Sequence, residues 1–163
     1  NNGRAIRGRA MTGVDVQMIS ELPDLPSGAE LVRWAEAALE PPWRDHELTV
    51  RVVDHEEGLA LNRDYRGGAK PTNVLSFPFE SPPGVDLSLL GDVVLCAPVV
   101  AAEAAEQGKS ARAHFAHLVV HGVLHLQGYD HDTEGTALRM ESREVELLVD
   151  MGFDDPYRDE QDR

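Results

Sequence analysis

The feature that most constrains this chain is the run His121-Gly-Val-Leu-His125-Leu-Gln-Gly128-Tyr-Asp-His131, which places imidazoles at relative positions 1, 5 and 11. Residues four apart on a helix lie one turn apart on the same face. Leu118, Val119, Val120, Val123, Leu124 and Leu126 surround the first two histidines, so the segment reads as an apolar helix carrying them. Gly128 tolerates the left-handed conformation that ends a helix, and the turn after it can return His131 towards the other two. Three neutral imidazoles with a fourth position open form the donor set of a catalytic zinc site, not a closed structural one. Five of the seven histidines fall between residues 114 and 131, with no cysteine among them.

The rest of the chain sets the frame for that cluster. Its 163 residues suit one domain, and 42% of them are hydrophobic, enough for a core. We expect residues 11–154 to form that single domain, residues 1–10 to be an extension and residues 155–163 to be an acidic tail. The N-terminal NNGRAIRGRA lacks the apolar stretch of a secretory signal. No apolar run approaches the length of a membrane span, so no membrane partner is expected. The single cysteine, Cys96, cannot form an internal disulfide, which fits a cytoplasmic setting. With 29 acidic against 15 basic residues the net charge is −14, which argues against non-specific DNA or RNA capture. The acidic residues between 134 and 146, and those from 150 to 162, read as a solvated helix face and a frayed end.

Periodicity and punctuation give the element order β-α-β-α-β-β-α-α-α. Val14–Ile19 and Glu47–Val53 alternate like strands. Ser27 caps a helix that runs to Glu40 before Pro41-Pro42, with Leu31, Trp34, Ala35, Ala38 and Leu39 inward. Asp54 with Glu57 resembles a capping box for the next helix. Asn73–Phe79 reads as an edge strand because Pro78 cannot donate to a ladder. Gly91–Cys96 reads as a short buried strand, Pro98 opens an Ala-rich helix, and Ser110 caps the histidine helix. Asp132 or Thr133 caps a last helix whose inward side is Leu138, Val145, Leu148 and Val149. The fold class is α+β (mixed α/β): one mixed four-stranded sheet with about five helices, the metal site on a helix of the C-terminal half and the turn after it.

An ion held by three neutral imidazoles keeps its full positive charge, acidifies bound water to a pKa of about 7, and polarises a carbonyl or phosphoryl oxygen. Hydrolysis is the reaction class that follows. Zinc, nickel and other first-row divalent ions all suit the donor set. The spacing matches the zinc-protease pattern H-E-x-x-H-x-x-G-x-x-H, but the second position, Glu in that pattern, is Gly122 here. Without that general base, peptide cleavage loses its proton carrier. His117 and His114 precede His121 by one and two turns on nearly the same face, and His117 is a candidate to support the ligands from behind. Asp130 is a candidate to orient an imidazole, or else to cap the next helix.

The run His121–His131 resembles the hallmark of the YbeY family of bacterial metal-dependent endoribonucleases, also called rRNA maturation factors. Two further blocks agree in order: Leu61-Asn-Arg-Asp-Tyr-Arg66 with Lys70-Pro-Thr-Asn-Val-Leu-Ser-Phe-Pro-Phe79, and Gly91-Asp92-Val-Val. The resemblance implies a zinc-type ion on His121, His125 and His131, and single-strand RNA cleavage in maturing the 3′ end of small-subunit (16S) ribosomal RNA and in ribosome quality control. It implies ribosomal RNA, the small ribosomal subunit and assembly factors as partners, and a catalytic arginine near the ion that maps to Arg66. Phosphodiester chemistry suits an arginine beside a divalent ion, because both stabilise charge developing on phosphoryl oxygens. Arg63 and Lys70 are candidates for phosphate contacts, and Thr72, Asn73 and Ser76 for hydrogen bonds to substrate. The alternatives are a ribosome-assembly binding protein whose metal is mainly structural and, more remotely, a metalloprotease.

Overall fold

β-Branched, alternating stretches build one sheet, and apolar helices cover it. The protein is described by a computed structural model over residues 13–66, 72–85 and 87–158, with backbone alone for residues 63–66. The elements are β1 (Val14–Met18), α1 (Gly28–Ala38), β2 (Glu47–Val53), α2 (His55–Arg66), β3 (Val74–Pro78), β4 (Leu89–Cys96), α3 (Ala97–Gln107), α4 (Ala111–Leu126) and α5 (Glu134–Asp150). The sheet order is β1-β2-β4-β3. β1, β2 and β4 run parallel, while β3 pairs antiparallel to β4 at the edge. Pro78 terminates that edge strand, where a missing N–H costs nothing. The α+β class, the element order and the mixed four-stranded sheet are as expected from the pattern.

Local chemistry accounts for the helix ends. Ser27 and Glu30 close a capping box on α1, and Ser110 accepts from Ala113 N–H at the start of α4. Gly108 ends α3 at φ 68°, a conformation that favours glycine. Thr133 caps α5, its box completed by Thr136. Asp54 behaves differently from the reading as a side-chain cap. Its carboxylate accepts from Ser20 Oγ and Glu21 N–H, so it ties down the chain leaving β1.

One face of the sheet carries the main core, where Leu31, Trp34 and Ala38 of α1 meet Val119, Val123 and Leu124 of α4 over Val50, Val52, Val93 and Leu95. The opposite face holds a small cluster of Val53, Leu75 and Val94 beneath Leu61 of α2. Gln127 fastens α1 to the end of α4. Its amide donates to Ala38 O and Val123 O, and its Oε1 accepts from Glu40 N–H.

The inward face of α5 departs from expectation. Leu138 and Val149 are 60% and 51% exposed, whereas Met140, Glu144, Leu147 and Leu148 are buried. Sequence pattern assigned Glu144 to a solvated acidic face, yet its side chain is fully buried against α4. A glutamate can take a core position only where donors meet both oxygens. Part of the stretch read as a frayed end is packed instead. Phe153 packs edge-on against Trp34, and Tyr157 turns its hydroxyl into the protein.

Candidate functional site

α4 is packed on nearly all sides, and this decides where chemistry can happen. From His114 to Leu126 every residue of the helix is buried except His121 and His125. Beyond its first turn the helix therefore opens to solvent at one place, and two imidazoles one turn apart occupy it. Gly128 takes φ 104° and breaks the helix, which brings the exposed His131 back over them. The His131 ring stacks on His121 at 5.6 Å and on His125 at 6.2 Å between centroids. Imidazoles sharing one tetrahedral ion stand about 5 Å apart by the same measure. As placed, no three His, Cys, Asp or Glu side chains among the described residues are drawn together tightly enough to ligate one ion.

The donor set nevertheless fits a divalent cation, on the evidence of what lies behind each ring. His121 Nδ1–H donates to Glu144 Oε2 at 2.7 Å, and His125 Nδ1–H donates to the Tyr129 carbonyl at 2.9 Å. Each bond places the ring proton on Nδ1 and leaves the Nε2 lone pair for a cation. Partners of this kind, a carboxylate and a backbone carbonyl, are the ones that orient metal-binding imidazoles. Glu144 also accepts from His117 Nε2–H at 2.8 Å and from the Tyr157 hydroxyl. Burial works to raise the Glu144 pKa, but the hydrogen bonds and charges of His117 and His121 prevail and hold it at about 2. A fully buried carboxylate thus stays ionised beside the candidate ligands.

Gly122 explains why the protease glutamate is missing. A Cβ there would stand 2.7 Å from Val93 Cγ1 and 3.3 Å from Ser76 Oγ. α4 sits directly on β3 and β4 at this point, so no side chain fits. The same close approach lets Ser76 Oγ–H donate to Gly122 O at 3.2 Å, which sets Ser76 against the residue that follows His121 in the chain.

The other candidates are distributed as follows. His117 lies behind the ligands on the shared glutamate. His114 bonds Glu103 instead, and burial pulls its pKa down against that carboxylate's effect. Asn73 also donates to Glu103, at 3.0 Å, and so belongs with His114, apart from the imidazole trio. Thr72 is half-buried just before β3. Asp130 does not orient an imidazole through a hydrogen bond; its carboxylate accepts from Thr136 and from Asp132 N–H. Those two bonds lower its pKa, with His125 and His131 adding to the effect. Arg63 and Arg66 lie on the last turn of α2, their side chains outside the described residues, as is the whole of Lys70.

Comparison with known proteins settles the family. The family model described as Endoribonuclease YbeY matches residues 27–152. A protein named Endoribonuclease YbeY from Methylococcus capsulatus is 58% identical over 135 residues, covering 83% of this chain and 89% of its own. The chain belongs to the YbeY family. A relative of the same name from Alteromonas mediterranea is 53% identical, covering 82% of this chain and 85% of its own. Another, from Pseudoalteromonas translucida, is 50% identical, covering 91% and 98% respectively. Among solved structures, the solution structure of TM1509 from Thermotoga maritima aligns with a TM-score of 0.53 at 25% identity, over 83% of this chain and 91% of that one. The YbeY match includes every element from α1 to α5, and with them both histidines of α4 that bond Glu144.

Sequence reasoning missed Glu144, and the signal for it was slight. Its spacing from Met140, Leu147 and Leu148 places it on their helix face, so it is an acid standing in an apolar stripe. Tyr157 carried no signal at all.

Proposed function

We propose that this chain is a metal-dependent endoribonuclease. It cleaves single-stranded RNA in maturation of the 16S ribosomal RNA 3′ end and in ribosome quality control, with the small ribosomal subunit and its assembly factors as partners. Membership of the YbeY family supports the nuclease reading. The observation that carries the metal is the pairing of His121 with buried Glu144 and of His125 with the Tyr129 carbonyl. No helix among the described residues is long and apolar enough to cross a membrane.

In this reading His121, His125 and His131 hold one divalent ion, zinc or another of the first row. When bound, the ion supplies Lewis acidity at a phosphoryl oxygen and lowers the pKa of water. Glu144 fixes the His121 tautomer and balances positive charge at its back. The Tyr129 carbonyl does the first task for His125. Arg66 is the residue assigned to charge developing on the phosphoryl oxygens, with Arg63, Lys70, Thr72 and Ser76 along the substrate path. Steric exclusion at Gly122 disfavours peptide hydrolysis by the protease route.

The test combines elemental analysis of the purified protein with cleavage of a single-stranded RNA, with and without chelator, for wild type and Arg66→Glu. Chelator should abolish cleavage, and Arg66→Glu should lower it at least a hundredfold while the thermal midpoint stays put. If cleavage survives chelation, the metal-dependent reading is wrong. If His121→Ala unfolds the protein while Arg66→Glu leaves cleavage intact, the metal is structural.

A further inference from the structure

Glu144 is the only fully buried carboxylate among the described residues, and three donors meet it. Two come from α4, as His117 and His121. The third, the Tyr157 hydroxyl, comes from the segment after α5, five residues beyond the stretch matched by the family model. That segment is anchored along its length. Phe153 N–H donates to Leu148 O at 2.9 Å, and its ring meets Trp34 edge-on at 5.8 Å. Lys109 Nζ donates to Pro156 O at 3.1 Å, and Tyr157 N–H to Asp155 Oδ1 at 2.7 Å. The Tyr157 ring then stands edge-on to His117, with centroids 5.2 Å apart.

The division of labour on the carboxylate matters. Oε1 takes both His117 and Tyr157, and Oε2 takes His121 alone. A carboxylate pivots about its last torsion, which is broad and poorly restrained by rotamer preference. Two donors on Oε1 hold that torsion and so aim Oε2 at His121 Nδ1. Removing the hydroxyl frees the group to shift and to share its charge unequally between the imidazoles.

We propose that Tyr157 is a positioning residue for the ion site, acting through Glu144 on His121. This rests on the ion reading given above. The test measures Zn2+ affinity of the full chain by competition with a chromophoric chelator, for wild type, Tyr157→Phe, Glu144→Gln and the double variant. Phenylalanine keeps the ring against His117 and removes only the hydroxyl. Supporting partners of metal-bound histidines typically contribute 10- to 100-fold in affinity, and Tyr157 acts one bond further out, so Tyr157→Phe should weaken Zn2+ binding about threefold to tenfold. In the Glu144→Gln background the same change should alter affinity less than twofold, since the path runs through the carboxylate. Equal affinity in wild type and Tyr157→Phe, or an undiminished effect in the Glu144→Gln background, overturns the proposal while leaving the ion reading in place. A wild type that binds no Zn2+ overturns both.

Discussion

Replacing Glu144 with glutamine isolates the buried carboxylate with almost no change in volume. The glutamate is fully buried and its pKa lies at about 2, against an ordinary 4.5. That difference corresponds to about 3 kcal/mol of stability at neutral pH. The sign follows from the direction. The folded-state pKa is the lower one, so the contribution is complete above the unfolded value and drains away as pH falls towards the folded value. At pH 3.5 about 2 kcal/mol of it remains. Glutamine cannot ionise, and its NH2 group would confront an imidazole N–H, donor against donor, at one of the two histidines. The metal-free variant should therefore be less stable by about 3 kcal/mol at pH 7, a fall of about 6–12 °C in thermal midpoint. The gap to wild type should narrow to about 2 kcal/mol at pH 3.5. Urea unfolding followed by circular dichroism, in chelator at both pH values, measures this. A gap under 1 kcal/mol at pH 7, or one that does not shrink in acid, would refute the view that an ionised Glu144 holds α5 to α4.

Two further substitutions probe the frame of the site. Gly122→Ala forces a methyl group against Val93 and Ser76, and overpacking of that order costs about 1–3 kcal/mol; differential scanning calorimetry should show the lower midpoint, and an unchanged one would mean that α4 and β4 have slack. Gln127→Leu strands Ala38 O and Glu40 N–H, which its amide now satisfies, and should destabilise by about 2–4 kcal/mol in denaturant melts, since each buried orphan costs about 1–3 kcal/mol.

Much of the architecture was readable before any coordinate. The caps at Ser27, Ser110 and Thr133 and the break at Pro78 rest on interactions within a few residues, and local pattern reports those well. The pattern erred where a side chain's surroundings come from elsewhere in the chain. Leu138 and Val149 looked inward and are exposed, and Asp54 looked like a cap and holds Ser20.

The amino-acid order alone determined that two imidazoles share a helix face and that a glycine turn can return a third, because a four-residue step and a left-handed turn are properties of the local backbone. Only tertiary packing decided what stands behind those rings. Glu144 reaches His121 from 23 residues away, and Tyr157 joins it from 13 further on, across contacts that exist once α5 and the segment after it fold onto α4. An acidic residue in a sequence is solvated by default; three donors in a dry interior are what turned this one into part of the site.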